Sequence, residues 1–274
     1  MNPFNGRVAV ITGAAGGIGS AIARACAERG AQLALADLDG EGLERVAKEL
    51  EGIGTKVLSV QTDVSRRDSV EALAEKSWRH FGNVHLVYNN AGVATFGVLA
   101  EAVHEDWVFT MGVNFWGVVH GVESFVPRLI EQGDGGHVVN TASMAGLTGM
   151  RWLGVYSASK FAVVGLTEAL RRELEPHGIG VSVLCPMMVD TQMTGNSSRA
   201  RPPDQRGQDE TPAPGPDTLV GNIISPDEVA ARALRGIERN DLYILTHPEQ
   251  REILRRRAAR LDAGFGDDLW PLGD

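Results

Sequence analysis

The chain has only two cysteines in 274 residues, Cys26 and Cys185, and they stand far apart. Two are too few for a disulfide framework. Each falls in an apolar run and reads as a small buried hydrophobe of a reduced, cytoplasmic protein. No apolar run approaches the length of about 18 residues that marks a membrane-spanning helix. Residues 1–6 lack the charged-then-apolar order of a secretion signal. Positive charge is also short: 26 Lys and Arg against 35 Asp and Glu leave a net charge of −9. Phosphate contacts supply most of a nucleic-acid binder's affinity, so no nucleic-acid partner is expected. The one basic cluster, Arg255, Arg256, Arg257 and Arg260, shares helical spacing with Ile253, Leu254 and Leu261 and reads as a solvated helix face. No metal site is expected.

What is present is enough for one folded unit. Apolar residues make up 43% of the chain, and its length suits one α/β domain over residues 1–274. Short runs rich in Val, Ile and Leu occur at 7–12, 32–37, 56–61, 84–88, 137–141 and 180–184. They are continuous rather than alternating, as in strands covered on both faces. Helical patterns lie between them, near 17–29, 40–51, 66–81, 103–132 and 152–176. Such alternation predicts a Rossmann-type, doubly wound α/β fold with a mostly parallel seven-stranded sheet and helices on both faces. Ser225-Pro226-Asp227-Glu228 reads as a helix start, and a last strand is expected at 242–246. The stretch 187–224 holds Pro202, Pro203, Pro212, Pro214 and Pro216 and reads as a loop that closes over a substrate. The Gly- and Asp-rich tail, 264–274, is expected to fray.

Thr12-Gly13-Ala14-Ala15-Gly16-Gly17-Ile18-Gly19 follows the first strand and opens a helix. Glycines there let the backbone turn tightly and approach a phosphate, which the free N–H groups and the positive helix end attract. Asp37 ends the second strand, 18 residues beyond Gly19. An acid at that place suits the ribose hydroxyls of NAD and repels the added phosphate of NADP. No Arg or Lys stands at 14, 15 or 38 to receive that phosphate. NAD is therefore the expected cofactor, with NADP second. Asp39 would either share the role or cap the next helix.

Tyr156 and Lys160 are four residues apart in a helical pattern, so both project from one face. A tyrosine of reference pKa about 10 must ionise roughly two to three units lower to serve as a base near neutrality, which is about 3–4 kcal/mol. A lysine cation about 4.5 Å away supplies about that much at an effective dielectric of about 20, and an oxidised nicotinamide adds to it, so the lysine and the bound cofactor together are expected to tune the tyrosine. Ser143 stands 13 residues before Tyr156, at the end of a strand, where this class of sheet binds ligands.

These segments together resemble the short-chain dehydrogenases/reductases. The turn 12–19 is similar to their TGxxxGxG motif, and Tyr156-Ser157-Ala158-Ser159-Lys160 to their YxxxK segment. Asn89-Asn90-Ala91-Gly92 is similar to their NNAG motif, and Asp63-Val64 to their adenine-contacting pair. The resemblance implies four catalytic residues: Asn114, Ser143, Tyr156 and Lys160. It implies that Asn114 holds a water linking Lys160 to solvent, and that Ser143 donates to the substrate oxygen. Cofactor contacts are implied for Gly13, Gly17, Ile18, Gly19, Asp37, Asp63, Val64, Asn90, Ala91, Gly92, Tyr156, Lys160, Pro186, Val189 and Thr191. The family usually has Pro-Gly where this chain has Pro186-Met187, which puts a side chain near the nicotinamide. A homotetramer or homodimer is also implied.

Apolar residues beside these positions are Phe96, Met144, Met150, Trp152, Leu153, Met188 and Met193. They suit a bulky hydrophobic secondary alcohol or ketone: a steroid, terpenoid or aryl carbinol. A 3-oxoacyl-thioester reductase of the same family and a nucleotide-sensing regulatory protein on the same fold are the alternatives. The first usually goes with NADPH, and Asp37 argues against it.

Overall fold

The computed structural model describes residues 3–202 and 221–266. The strands are β1 (Val8–Thr12), β2 (Gln32–Asp37), β3 (Val57–Gln61), β4 (Leu86–Asn89), β5 (Gly136–Thr141), β6 (Ile179–Cys185) and β7 (Tyr243–Leu245). They form one seven-stranded sheet in the order β3-β2-β1-β4-β5-β6-β7. Every neighbouring pair is parallel, so the sheet is wholly rather than mostly parallel.

The continuous apolar runs follow from cover on both faces. Ala9, Ile11, Leu33 and Leu35 enter one buried cluster, while Val8, Val10, Ala34 and Ala36 enter the other. Successive side chains of a strand point to opposite faces, so each face draws on every second residue. The first cluster is closed by α1 (Gly17–Glu28), α2 (Gly40–Gly52) and α8 (Pro226–Arg239); the second by α3 (Arg67–Phe81), α5 (Gly117–Gln132) and α6 (Gly154–Leu174). The chain runs outward from β1 to β3 and then crosses back to β4. That reversal opens a crevice at the carboxyl ends of β1 and β4, where open α/β sheets bind ligands.

Several local expectations are met. Asp39 caps α2 by accepting from the Gly42 N–H at 3.0 Å. Ser225 and Glu228 make a reciprocal capping box at the start of α8. Two differ. The pattern at 103–132 is not one helix. α4 (His104–Met111) passes through a π-helical turn at Gly112–Trp116 before α5 begins. The stretch 187–224 contains a helix, α7 (Met193–Ala200). Residues 203–220, and most of the tail expected at 264–274, lie outside the described residues.

His137, in β5, is buried, and its Nε2 meets Ser182 Oγ at 2.7 Å. Burial, aided by the Arg171 charge, pushes its imidazole from 6.5 down to about 3. Below pH 6.5 the unfolded chain takes up a proton that the folded one refuses, so stability falls with pH until about 3. In urea unfolding, His137→Asn should lose less stability than wild type between neutral pH and the acid end of that window. Equal losses in the two proteins would contradict this.

Candidate active site

The glycine turn is built by contact as well as by conformation. Gly13 has φ +69° and Gly17 φ +52°, both in the region that favours glycine. A Cβ on Gly19 would stand 2.0 Å from the Gly13 carbonyl oxygen. Thr12 ties this turn to the end of β4. Its hydroxyl accepts from the N–H groups of Asn90 (2.9 Å) and Ala91 (3.1 Å), and its carbonyl accepts from Asn90 Nδ2 at 3.0 Å. Thr191 lies on the other side, with Cγ2 3.2 Å from where a Cβ on Gly17 would stand. Ile18 and Val189 lean on one core cluster.

Asp37 faces this turn. One carboxylate oxygen accepts from the Ala15 N–H at 2.9 Å and the other from the Asp39 N–H at 3.0 Å. Burial raises its pKa while these N–H groups oppose the rise. Each oxygen keeps a lone pair, enough for two vicinal hydroxyls. The turn and this acid fit a dinucleotide: no side chain fills the space above Gly16, where an added Cβ meets nothing within 4 Å. Asp63 has a local task, since its Oδ1 accepts from the Ser65 N–H at 2.9 Å and the Ser65 hydroxyl at 2.6 Å. Val64 is buried, and its carbonyl meets His120 Nδ1 at 2.9 Å.

α6 delivers Tyr156 and Lys160 to the carboxyl end of β5. Lys160 is 2% exposed; its Nζ donates to the Thr141 carbonyl at 2.9 Å and sits 5.7 Å from the Tyr156 ring centre. Ser143 follows β5; its hydroxyl donates to the Pro186 carbonyl at 3.3 Å and lies near enough to the Tyr156 phenol to lower its pKa. Burial pushes Tyr156 up to about 12, against the downward pull of Ser143. Burial also lowers Lys160 to about 8. Desolvation acts on both groups and moves each toward its neutral form, so the size of the shift that the lysine and the oxidised cofactor together must supply is larger than distance alone suggests.

Asn114 is fully buried in the π-helical turn. Its Oδ1 accepts from the Val93 N–H at 2.8 Å, and its Nδ2 donates to the Val93 carbonyl at 2.9 Å and to Ser159 Oγ at 3.0 Å. It thus holds the chain just after the NNAG motif. A Cβ on Gly92 would stand 3.2 Å from Asn114 Oδ1 and 3.4 Å from Lys160 Nζ, so glycine keeps open the space between the two.

An apolar wall surrounds the phenol. Phe96, Met150, Met193 and Ala94 pack on a buried group of Ala145, Leu153 and Tyr156. α7 contributes Met193 and is fixed there, because the Ala94 N–H donates to Ser197 Oγ at 2.9 Å and Arg201 pairs with Asp106 of α4. The other expected pocket residues sit apart from this group. Met144 is fully buried, and its N–H donates to the Pro186 carbonyl at 2.8 Å. The Met188 carbonyl accepts from the Ile224 N–H at 3.1 Å. Trp152 adopts a left-handed φ of 70°, and its ring lies beneath the Arg151 guanidinium. Sequence reasoning missed Thr12, Thr141, Ser159 and Ser197. Thr12 and Ser159 stand inside the glycine-turn and YxxxK motifs without a role assigned to them, whereas no local pattern marks Thr141 or Ser197, which join segments distant in the chain.

A parallel sheet with a phosphate-type turn after β1 and a Ser, Tyr and Lys group at its carboxyl edge defines a nucleotide-dependent oxidoreductase. The family model for short chain dehydrogenases matches residues 7–202, and the chain belongs to that family. It is 34% identical over 261 residues to a C alpha-dehydrogenase of Sphingobium sp., covering 93% of this chain and 85% of that one. A crystal structure of a short-chain dehydrogenase/reductase from Burkholderia phymatum in complex with NAD superposes with a TM-score of 0.90 at 38% identity, covering 100% of both chains. An alcohol dehydrogenase from Thermococcus sibiricus complexed with 5-hydroxy-NADP gives 0.73 at 31% identity, covering 88% of this chain and 96% of that one. No helix among the described residues is long and apolar enough to cross a membrane.

The contrast between Gly19 and Gly16 tests the turn. Gly19→Ala must displace backbone, at a cost of about 3 kcal/mol or more, and should lower Tm by roughly 6–12 °C. Gly16→Ala, with open space and an extended φ of −175°, should leave the Tm of the ligand-free protein unchanged. Differential scanning calorimetry of both variants decides. Equal Tm values would contradict the packing described.

Proposed function

We propose that the chain is an NAD-dependent oxidoreductase that interconverts a bulky hydrophobic secondary alcohol, such as a steroid, terpenoid or aryl carbinol, and its ketone. The observation that carries this reading is the buried Tyr156, beside Ser143 and packed with Phe96, Met150, Leu153 and Met193. An apolar wall with two flexible methionines accepts large rings and offers no charge to fix a polar substrate. The NAD preference rests on Asp37, whose carboxylate faces the glycine turn with no basic residue beside it at 14, 15 or 38.

A dinucleotide held by the glycine turn and Asp37 would supply, when oxidised, a hydride acceptor and a positive charge. Tyr156 takes the alcohol proton, and Ser143 turns its hydroxyl to the substrate oxygen. Bringing the phenol from about 12 to neutrality requires about 7 kcal/mol. The phenol stands at about 12 with Lys160 already 5.7 Å from its ring centre, so the lysine alone leaves it protonated. A second cation is needed, so the tyrosine becomes a base only in the complex with oxidised cofactor. Ketone reduction runs the same path in reverse, with Tyr156 already protonated. Gly13, Gly17, Gly19, Asn90, Ala91 and Gly92 line the dinucleotide's path. Pro186, Val189 and Thr191 flank its nicotinamide end.

Absorbance of the reduced cofactor, followed with NAD⁺ and NADP⁺ across a panel of secondary alcohols, tests the reading. NAD⁺ should give the higher kcat/KM, and large apolar carbinols should exceed small ones. Tyr156→Phe should lower kcat by about 10³-fold or more while NADH binds as in wild type. Near-wild-type turnover by that variant, or a clear NADP⁺ preference, would contradict the assignment.

A further inference from the structure

Between β6 and α7 the chain must pass the nicotinamide end of the site, and something has to hold it there. Pro186 touches Ser143 through its carbonyl, and Thr191 touches the glycine turn at Gly17. Residues 187–190 join these two points. A glycine often follows the proline in this family, but here Met187 does. Its side chain leads toward the segment that re-enters at Gly221, with Cγ 3.6 Å from where a Cβ on Gly221 would stand.

The holding group is His247, which follows β7 and is 2% exposed. Its Nδ1 accepts from the Met187 N–H at 3.2 Å, and the Thr246 hydroxyl lies 2.7 Å from the same nitrogen. Its Nε2 lies 3.1 Å from the Met188 carbonyl and 3.1 Å from the Asn222 carbonyl. A backbone N–H can only donate and a carbonyl can only accept. The ring is therefore in one tautomer, with its hydrogen on Nε2. One imidazole thus grips both backbone groups of the turn after Pro186 and, through the same hydrogen, the strand-like segment at 221–224. That segment is gripped a second time, because the Asn222 N–H donates to Glu249 Oε1 at 3.0 Å. It then pairs with the turn itself: Ile224 N–H to the Met188 carbonyl at 3.1 Å, and Asp190 N–H to the Ile224 carbonyl at 3.0 Å.

We propose that His247 is a positioning residue for the cofactor: its Nδ1 fixes the backbone at Met187, and its Nε2–H fixes that same turn to residue 222. This rests on the reading that 186–191 flanks the nicotinamide. The two nitrogens do separable work. Nδ1 sets how tightly the nicotinamide half is held. Nε2 sets how residues 221–224 lie beside the turn and so shapes the substrate side.

The carboxamide of asparagine reaches the place of Nδ1, and that of glutamine the place of Nε2. In NADH titrations followed by fluorescence, His247→Ala should raise Kd about tenfold, as expected when the hydrogen bond that fixes the Met187 backbone is lost. His247→Asn should recover NADH Kd to within about twofold and keep a raised KM for the alcohol, while His247→Gln should do the reverse. Amide hydrogen exchange of the ligand-free protein gives an independent reading. Met187 should exchange faster in His247→Ala and His247→Gln but not in His247→Asn. If Asn and Gln variants match Ala in every constant, or if all three bind NADH as wild type does, the proposal is overturned. If the alanine variant does not fold, the Asn and Gln pair still decides. NADH binding and exchange do not depend on alcohol turnover, so they stand even if Tyr156→Phe disproves the assigned chemistry.

Discussion

A buried ammonium organises this molecule's chemical end. Lys160 is almost wholly enclosed, and its charge is met by the carbonyl at the end of β5. That bond draws the first turns of α6 down against the sheet. It thereby places Tyr156 beside Ser143 and Lys160 Nζ close to Gly92, where a Cβ would stand 3.4 Å from it. A group buried in this way pays in solvation, and the effect is seen in both partners. Lysine is pulled down and tyrosine up. The protein alone thus holds a proton donor and lacks a ready base. Under the mechanism proposed, the missing charge arrives with the oxidised cofactor, so proton transfer is withheld until the hydride acceptor is in place.

The polar frame around the pair is largely made of single side chains that bridge distant strands. Thr12 joins the ends of β1 and β4, and Asn114 joins the π-helical turn to the segment after β4 and to α6. Deeper in the sheet, Asn89 donates to Asn140 at 2.8 Å and Asn140 to Thr167 at 3.0 Å. Buried amides without partners are costly, so such a chain of bonds favours one register of β4, β5 and α6. The site is therefore supported by sheet ends and helices, and loops are added to it afterwards.

Much of this was legible in the sequence. Strands covered on both faces give continuous apolar runs, and so β1, β2 and β6 could be read almost to the residue. The glycine turn was readable because Gly13, Gly17 and Gly19 sit where backbone and side chain would collide. α7 was not readable. Met193–Ala200 contains Gly195, Asn196 and two serines, which are poor helix formers. It is held by docking Met193 on the Tyr156 cluster and Ser197 on Ala94. The break at 112–116 was hidden because one extra residue in a turn hardly alters the apolar period. The need for Lys160 and an oxidised cofactor together was legible, but the burial that enlarges the shift was not, because distance enters a sequence argument more easily than burial does. The hydrogen-bonding of His247 was hidden, since its partners at 187, 188 and 222 lie far away in the chain.

The central claim is that Tyr156 is a weak acid in the ligand-free protein and becomes a base only beside a second positive charge. The chain has three tyrosines, so ¹³Cζ-labelled tyrosine gives a spectrum in which the Tyr156 signal can be assigned with Tyr156→Phe. Its pH titration should show no ionisation of Tyr156 below pH 10 without cofactor or with NADH. With NAD⁺, ionisation should move down toward neutrality. A Tyr156 that titrates near neutral pH without cofactor, or that titrates alike with NAD⁺ and NADH, would contradict the account.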